Sequence, residues 1–421
     1  MKKPEIAILS LHPHNYGGIL SFLRVVHKFC SKYFTPTVFF LGFDSEISAS
    51  LRGMKFKSHV RRTEYFGMKC VEIGARWAFW EPGHYANTMA DWENELSHFK
   101  YFFAASGTPV AAQPLAVLGK RFLGWYATPY SEDRKERVRL MSWPRHIVDF
   151  SGQKFMESIE RNVLDSTNRV LALSSYSYSG FIKRSPGIER RMSICGYPVE
   201  PKSARASFDN KTIVAIGRFS DPRKNPAMLF EAFDKIYKKI PGVRLLVIGT
   251  PPKNRVVLKY GGRESFKQIT FTGYVDEQRK EVLFSQASLL LLTSHQEGLG
   301  IVGLEALAHG IPVVATDCGG PRDYLVTGKN GYLVRVNDVD DMVNKAVKIL
   351  ESQSLWHELS IGAHEFIRER CTEEFIFNKF KMGLMRVYPD LEEMFEVVDE
   401  NSSGGAHVHL GNQPHKMDQI R

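Results

Sequence analysis

The sequence predicts an α/β protein with two doubly wound domains that face a central cleft. At 421 residues the chain is too long for one ordinary hydrophobic core. Short apolar runs of strand length alternate with helical patterns, which is typical of parallel sheets covered by helices on both faces. The alternation stops at 195–211, a stretch rich in proline, serine and charge, and then restarts. Ligands of such sheets bind beyond the carboxyl ends of the strands, so the cleft is the expected site.

Each domain is predicted from its apolar runs. The first domain, residues 1–200, has expected strands at 6–11, 36–42, 101–106, 121–127 and 169–174. A helix follows its first strand, because apolar residues recur there at helical spacing: Ile19, Phe22, Leu23, Val26 and Phe29. The second domain, residues 208–372, has expected strands at 212–218, 243–249, 269–273, 287–294, 311–316 and 331–334.

Helices of the second domain are expected across 225–239, 276–286 and 300–309, and Asp338 is the expected N-cap of a further helix. Residues 373–397 have an amphipathic pattern and are expected to form one or two helices that pack back toward the first domain. The last stretch, 398–421, is polar and poor in apolar residues, so it is predicted to be a disordered tail.

The cysteine and histidine patterns limit which disulfides and metal sites the protein can have. Five cysteines are scattered without Cys-x-x-Cys spacing, and the fourteen histidines show no paired-ligand spacing. This pattern argues against a disulfide framework and against a zinc site, and it fits a reducing cytoplasm. We therefore expect no metal and no cofactor.

Charge is distributed unevenly along the chain. The first 200 residues contain 27 Lys and Arg against 18 Asp and Glu, whereas the remainder contains 29 against 28. A basic first half indicates an anionic partner, such as a phosphorylated substrate, an acidic membrane surface or nucleic acid. The basic, aromatic stretch 51–62 is a candidate membrane-docking surface, and nucleic acid is the less favoured partner.

Two carboxylates lie where an apolar strand meets a helix, in the segment SHQEGLGIVGLEALAHG. Glu297 is in the loop after the strand, and Glu305 lies one and a half turns into a helix that begins near Gly300. Gly298 and Gly300 allow a ligand to approach the backbone closely. The first N–H groups of the helix form a ready phosphate site, and the carboxylates can accept hydrogen bonds from hydroxyls on either side. A nucleotide-sugar has this order of groups.

A second pattern adds positive charge. Arg218 and Lys224 stand six residues apart in a loop between a strand and a helix, where two cations can converge on a diphosphate. Arg223 beside them is expected to be solvated. A strand-end turn, Thr-Gly-Tyr274-Val275, is a further candidate contact.

Together these motifs resemble the retaining glycosyltransferases of family 4, which have the GT-B fold of two Rossmann-like domains and a Glu-x7-Glu signature. The resemblance is specific over about 210–335 and diffuse over 1–200. It implies that Glu297 holds the transferred sugar, that Glu305 holds the ribose, and that the backbone of Tyr274 and Val275 meets the base. The remaining donor contacts that it implies are to the diphosphate: Arg218, Lys224, and the backbone of Gly298, Leu299, Gly300, Ile301 and Val302.

The same resemblance extends expectations to substrates and to the first domain. It implies a nucleoside-diphosphate sugar donor, a glycan or lipid-linked acceptor and no required metal. The cysteine pattern and the basic first domain add the expectation of a cytoplasmic protein that can be peripheral at the inner face of a membrane. The pair Gly17 and Gly18 resembles the family's glycine-rich loop near donor and acceptor. Many family members carry a histidine at a later strand end, where this chain has Ala-Thr128-Pro. Thr128, a backbone group, or a residue such as His98 is expected to replace it.

Two other interpretations of the sequence remain open. One is a sugar-nucleotide epimerase, which shares the GT-B fold. The other is a basic peripheral-membrane or nucleic-acid binding protein that keeps a relic nucleotide site. A transferase is expected to lose turnover when Glu297 or Glu305 is replaced by alanine, whereas a binding protein is expected to tolerate both changes.

Overall fold

A computed structural model describes residues 2–13, 18–44, 48, 59–75, 81–85, 89–132, 134, 143–202 and 206–402. Within these ranges the chain forms two α/β domains, each built on its own largely or fully parallel sheet. This arrangement confirms the predicted fold class. Buried apolar residues lie on both faces of each sheet, and one hydrophobic cluster continues from the first domain into the second.

The first domain contains an eight-stranded sheet in the described part of the chain, in the order β3-β4-β2-β1-β5-β6-β7-β8. Its strands are β1 (Glu5–Leu9), β2 (Thr35–Gly42), β3 (Val60–Tyr65), β4 (Met68–Gly74), β5 (Tyr101–Ser106), β6 (Leu123–Tyr126), β7 (Arg169–Ala172) and β8 (Met192–Ile194). All neighbours pair in parallel except β3, which is antiparallel to β4. Its helices are α1 (Gly18–Tyr33), α2 (Glu81–His84), α3 (Met89–Leu96), α4 (Gln113–Val117), α5 (Trp143–Ser166) and α6 (Ser175–Arg184).

The second domain contains a six-stranded, fully parallel sheet in the order β11-β10-β9-β12-β13-β14 within the same described residues. Its strands are β9 (Thr212–Ile216), β10 (Arg244–Ile248), β11 (Ile269–Gly273), β12 (Leu289–Leu292), β13 (Val313–Thr316) and β14 (Gly331–Val334). The helices that cover it are α7 (Pro226–Lys239), α8 (Asn254–Tyr260), α9 (Glu277–Ser285), α10 (Ile301–Ala308), α11 (Val339–Glu351) and α12 (Gln353–Arg370). The Asp338 side chain accepts a hydrogen bond from Asp341 N–H and caps α11, as predicted.

The hairpin of β3 and β4 was missed by the sequence analysis. Its turn places Phe66 and Gly67 at positive φ, 54° and 77°, which suits a tight hairpin. Arg61 and Arg62 lie on β3, where they pair with Glu72 at 2.7 Å and with Glu95 at 2.8 Å. The end of the predicted membrane-docking stretch, Arg61 and Arg62, therefore forms ion pairs on a β-strand. Residues 51–58 of that stretch lie outside the described residues.

The last helices, α13 (Glu373–Val387) and α14 (Glu392–Ser402), pack against the first domain. The Phe380 ring lies 4.8 Å from that of Trp125 on β6, and the Phe395 ring lies 4.8 Å from that of Tyr33 on α1. Asp399 pairs with Lys32 at 2.7 Å. Residues 398–402 thus belong to α14 and not to a disordered tail, because Asp399 is held by the first domain; the rest of that tail lies outside the described residues.

The chain passes between the domains twice, near Val199 and near Cys371. The two passages are joined by a hydrogen bond from Val199 N–H to the Cys371 carbonyl, 2.7 Å long. None of the helices in the described ranges is long and apolar enough to span a bilayer.

Candidate functional site

The backbone of Glu297 is fixed by the loop that follows β13. Glu297 N–H donates to the Cys318 carbonyl at 2.9 Å, and the Glu297 carbonyl accepts from Gly320 N–H at 3.0 Å. A Cβ atom on Gly320 would lie 2.2 Å from the Leu299 Cα atom. Only glycine allows this approach, so the glycine pair after β13 sets the position of the 297–300 loop.

The Glu297 side chain meets a cation from the loop after β9. Lys224 Nζ lies 2.6 Å from Glu297 Oε1, and Ser294 Oγ donates to the same oxygen at 2.6 Å. The two charged side chains are 21% and 14% exposed, so the pair is largely shielded from water. Next in the chain, Asn225 adopts φ 49° and its side chain caps α7. The sequence-predicted Lys224 and Glu297 are therefore brought together, 73 residues apart along the chain.

The two arginines of the same loop behave differently. Arg218 is 46% exposed, and its Nη2 atom is 4.0 Å from Asp221 Oδ2. Arg223 is 13% exposed and lies 2.7 Å from that oxygen, so the expectation of a solvated Arg223 is wrong. Burial works against ionisation of Asp221, but its hydrogen bonds and ion pair with Arg223 hold the pKa of Asp221 below its ordinary value. Arg223 thus shapes the loop, and Arg218 is the more accessible cation.

Helix α10 begins directly after the glutamate loop. Gly300 is its N-cap, at φ 78°, and the Gly300 carbonyl accepts a hydrogen bond from Tyr324 OH at 3.0 Å. Leu299 is buried, whereas Ile301 and Val302 are half-buried. The first N–H groups of a helix have no intrahelical partner and lie at the positive end of its dipole. This end of α10 lies beside Glu297, so an anion can be bound there.

Glu305 is paired with a lysine that sequence reasoning missed. Lys280 Nζ on α9 lies 2.9 Å from Glu305 Oε1 and 2.8 Å from Glu277 Oε2. Burial raises the pKa of Glu305, and the charge of Lys280 opposes that rise. The sequence contains only a weak signal for this ion pair, because Lys280 lies in a polar run, EQRKE, that is typical of a solvated helix face.

In the turn before α9, Tyr274 is 88% exposed and Val275 packs against the core.

Residues of the first domain face this cluster across the cleft. A Cβ atom on Gly18, at the start of α1, would lie 3.8 Å from Ile301 Cδ1. Thr128 is buried, and its Oγ1 atom lies within 2.3 Å of where a Cβ on Gly298 would be. Ser174 Oγ donates to the Gly298 carbonyl at 2.5 Å. The structure therefore brings Gly18 and Thr128 to the 297–301 segment, while Gly17 lies outside the described residues.

A second cross-cleft contact was not predicted. Ser175 N–H donates to Asp323 Oδ2 at 2.5 Å, and Ser175 Oγ hydrogen bonds to the other carboxyl oxygen. Burial raises the pKa of Asp323, and these hydrogen bonds oppose the rise. The contact ties the start of α6 to the loop after β13, next to the glycines that position Glu297.

The histidines are placed differently from the expectation. His98 precedes β5, and its ring lies 4.2 Å from that of Phe99 in a tilted contact, so His98 is at the amino edge of the sheet, away from the cleft. His12 follows β1 at the carboxyl edge, and its Nε2 atom is 3.3 Å from Glu72 Oε1. Among the described residues, no group of three or more His, Cys, Asp or Glu side chains could hold a metal ion.

The loop that carries Thr128 is supported by a buried carboxylate. Tyr130 N–H donates to Glu160 Oε1 at 2.5 Å, and Arg184 Nε lies 3.7 Å from Glu160 Oε2. Burial raises the pKa of Glu160 to about 7. The folded protein then binds more protons than the unfolded chain between the two pKa values, so this group's contribution to stability falls as pH rises through that window.

We therefore expect Glu160→Gln to be neutral near pH 5 and to raise the free energy of unfolding near pH 8, by at most about 3 kcal/mol. Urea unfolding across this pH range measures the change. Glu157→Gln on the same helix is the matched control. Burial acts to raise the pKa of Glu157 also, but Gln153 and Arg184 outweigh it and the pKa is lowered. The control should therefore be less stable than the wild type by about the same amount at pH 5 and pH 8, because the contribution of Glu157 is complete above its ordinary pKa. An equal gain for Glu160→Gln at pH 5 and pH 8 would contradict the assignment.

Comparison with known proteins bears on both domains. Residues 199–366 match the family model described as glycosyl transferases group 1. Among curated proteins, the chain is 32% identical over 161 residues to phosphatidyl-myo-inositol mannosyltransferase of Mycolicibacterium smegmatis, covering 38% of this chain and 39% of that protein. It is 27% identical over 176 residues to N-acetyl-alpha-D-glucosaminyl L-malate synthase of Bacillus anthracis, covering 42% and 45%. The chain thus spans less than half the length of these relatives.

Solved structures match over the whole fold. Sucrose-phosphate synthase from Thermosynechococcus elongatus superposes with a TM-score of 0.71 at 16% identity, covering 92% of this chain and all of that one. Anabaena HepE, solved in complex with UDP, gives 0.64 at 16% identity, covering 91% and 99%. At such identities the likeness concerns the fold alone.

Two parallel-sheet domains with a cleft at their carboxyl edges define this chain as a GT-B protein. Its residues 199–366, the range that carries Arg218, Lys224, Glu297 and Glu305, match the model of the group 1 glycosyl transferases. The fold predicted from the sequence is thereby confirmed, and this match agrees with the resemblance.

Proposed function

We propose that the protein is a retaining glycosyltransferase that moves a sugar from a nucleoside-diphosphate sugar to an acceptor hydroxyl in the synthesis of a polysaccharide or lipid-linked glycan. The observation that carries the proposal is the ion pair of Lys224 and Glu297, 2.6 Å apart beside the start of α10. A carboxylate that accepts hydroxyl hydrogen bonds, a cation and a helix N-terminus together match a sugar joined to a diphosphate. The alternatives of an epimerase and a binding protein gain no support from the comparisons.

The donor is assigned by the chemistry of each group. Glu297 holds the hydroxyls of the transferred sugar, and Glu305 holds the ribose. Arg218, Lys224 and the N–H groups of Ile301 and Val302 bind the diphosphate, while the backbone at Tyr274 and Val275 meets the base. A Cβ atom on Gly18 would lie 3.8 Å from Ile301 Cδ1, so Gly18 completes the side of the cleft that binds the phosphates.

The reaction breaks the bond between the anomeric carbon and the diphosphate oxygen, and the electron pair leaves with the diphosphate. The acceptor oxygen bonds to the anomeric carbon on the same face, and its proton passes to a phosphate oxygen of the leaving group. Fixed positive charge stabilises the leaving diphosphate without reorganisation, which is usually the largest catalytic contribution. Because Arg218 and Lys224 can supply that charge, the proposed reaction requires no metal.

The acceptor side is assigned to the first domain, where Thr128 and the 127–132 loop face the donor loop. Two relatives are named phosphatidyl-myo-inositol mannosyltransferase and N-acetyl-alpha-D-glucosaminyl L-malate synthase, and these names support a small or lipid-linked acceptor. A peripheral position at a membrane remains part of the proposal, and vesicle sedimentation at low and high salt tests it.

The test of donor binding is a thermal-shift panel of UDP, GDP, ADP and their sugar conjugates without added metal, on the wild type and on Glu305→Ala. Ligand at 100 times its dissociation constant stabilises the folded protein by about 2.7 kcal/mol. We expect one base series to raise the melting temperature of the wild type and of the control Glu351→Ala, an exposed residue at the end of α11. The Glu305→Ala response should be lost.

If no nucleotide shifts the wild type at millimolar concentration, the donor assignment fails. With the base known, the anomeric configuration of the product, determined by NMR, tests retention. Turnover that survives EDTA unchanged tests metal independence, and turnover abolished by EDTA contradicts it.

A further inference from the structure

The outer face of α13 carries apolar and basic side chains in one stripe. The inner face is buried against the first domain, where a Cβ atom on Gly383 would lie 3.0 Å from Leu123 Cδ1 on β6. Because an α-helix turns by about 100° per residue, positions spaced by four, three and four residues fall within about 60° of one another around its axis. The outer positions with this spacing are Phe375, Lys379, Met382 and Arg386.

The apolar members of the stripe are in contact with solvent. Phe375 is 39% exposed and Met382 is 52% exposed. Lys379 lies between them along the helix, with its Nζ atom 4.9 Å from the centroid of the Phe375 ring. The same Nζ atom donates to the Ile194 carbonyl at 3.0 Å, and Ile194, at the end of the edge strand β8, is 40% exposed. Three large apolar side chains are therefore exposed around one lysine.

The cations of the stripe have no acidic partner among the described residues. Lys379 and Arg386 form no ion pair within this part of the chain. Lys381, on the same helix, is by contrast paired with Asp399. The positive charge of the stripe is therefore not neutralised by these residues, and it remains available to an anionic partner.

A third cation, Arg169, lies beside α13 at the start of β7. Arg169 pairs with Leu123 in the parallel register of β6 and β7, so both residues lie on the face of the sheet that α13 covers. The Arg169 Nε atom is buried and has no hydrogen-bond acceptor among the described residues. Burial lowers the pKa of Arg169, and the charge of Arg386 lowers it further. Two neighbouring guanidinium groups without a carboxylate favour an anion with several acceptor oxygens, such as a phosphate.

We propose that this surface binds the protein to an anionic lipid membrane. Its apolar side chains enter the boundary between headgroups and acyl chains, and its cations contact the lipid phosphates. Large apolar and basic side chains on one face are typical of segments that lie on such membranes. The first 200 residues contain 27 Lys and Arg against 18 Asp and Glu, so the same domain is attracted to an anionic surface as a whole. The residues of this α13 surface are Arg169, Ile194, Phe375, Lys379, Met382 and Arg386.

The α13 surface is separate from the stretch 51–62, whose described end forms ion pairs on β3. It deepens the proposed function and rests on it in one respect, because a lipid-linked acceptor gives the enzyme a reason to bind a membrane. The test uses neither nucleotide nor acceptor. Membrane binding and the donor assignment can therefore fail independently of each other.

Vesicle sedimentation of the whole chain tests the α13 surface. Vesicles of phosphatidylcholine with about one-third phosphatidylglycerol are compared with phosphatidylcholine alone, each at about 0.05 M and 0.5 M salt. One variant, Lys379→Gln with Arg386→Gln, removes two cations, and another, Phe375→Ser with Met382→Ser, removes two apolar side chains. The matched controls change exposed residues of the second domain in the same way: Lys259→Gln with Lys329→Gln, and Leu258→Ser with Ile361→Ser. A melting curve checks that each variant is folded.

We expect the wild type and both controls to sediment with the anionic vesicles at low salt. Binding should weaken at high salt, because salt screens the attraction between the cations and the lipids. Each basic side chain near an anionic membrane strengthens binding about fivefold, so the Lys379 and Arg386 variant should bind about 25-fold more weakly. Loss of the buried apolar area should weaken binding of the Phe375 and Met382 variant about tenfold.

Three results would overturn the proposal: no sedimentation of the wild type with the anionic vesicles, equal binding to both kinds of vesicle, or unchanged binding in either variant of the α13 surface. A charge control that loses as much binding as the Lys379 and Arg386 variant would also overturn it, because the attraction would then come from net charge alone. If the wild type forms a dimer without binding vesicles, and the Phe375 and Met382 variant is a monomer, the surface contacts a second copy of the chain and not a membrane.

Discussion

Lys224→Met should lower the turnover of the proposed transfer reaction by about 100- to 1,000-fold, the range seen when one fixed group that stabilises transition-state charge is removed. Lys224 Nζ lies 2.6 Å from Glu297 Oε1, so the change removes a cation from the proposed diphosphate site and also leaves a shielded carboxylate unpaired. Because both effects act on the reacting groups, kcat should fall more than the donor KM rises. Steady-state kinetics with the donor found in the nucleotide panel measure this split.

The matched control is Lys239→Met, which removes an exposed lysine at the end of α7, the helix that follows the same loop. Its kinetics should equal those of the wild type. Circular dichroism and a melting curve should show that both variants are folded. A Lys224→Met variant with wild-type kcat would remove Lys224 from the reaction and would leave Arg218 as the only loop cation in that role.

Gly298→Ala is expected to reduce turnover about 100-fold, the cost of a displacement near 1 Å at a reacting centre. The added Cβ atom would lie 2.3 Å from Thr128 Oγ1 and 3.0 Å from the Ala127 carbonyl oxygen, both in the first domain. The 297–300 loop and the first domain must therefore separate, and Glu297 moves with the loop. Each domain has one hydrophobic cluster of its own, so the variant should remain folded, which a melting curve checks.

The same contact provides a rescue test. Thr128→Ala removes the oxygen at 2.3 Å, so the double variant with Gly298→Ala should recover part of the turnover. Gly262→Ala is the control, since a Cβ there meets nothing within 4 Å. If Gly298→Ala alone retains full activity, the domains are not required to approach this closely during the reaction.

Local patterns predicted most of the fold, because each central strand is a short apolar run. Strand β12, Leu289–Leu292, is buried at every position, and so is β5. The same rule explains the failure at β3, an edge strand on which Arg61, Arg62 and Glu64 give the pattern of a charged surface segment. That strand is stabilised by ion pairs to Glu72 and Glu95, which are distant enough along the chain to leave no periodic signal.

The residues of the candidate site also divide into those that the sequence predicted and those that it did not. Glu297, Glu305, Arg218 and Lys224 were found because motif spacing and strand-end position are local properties. Lys280 and the contact of Ser175 with Asp323 were not found, because each depends on which loops the two sheets bring together. The exposure of Tyr274 and the pairing of Arg223 likewise depend on packing that no single stretch encodes.

The return of α13 and α14 to the first domain has a consequence for synthesis on the ribosome. Phe380 and Phe395 pack into the first domain's core, yet both are translated after the whole second domain. The first domain emerges from the ribosome with part of its apolar surface uncovered, and it stays so while about 190 further residues are added. Domains of long chains generally fold as units in the order of synthesis. Here the order is reversed for the final step, so the amino-terminal half is the last to be completed.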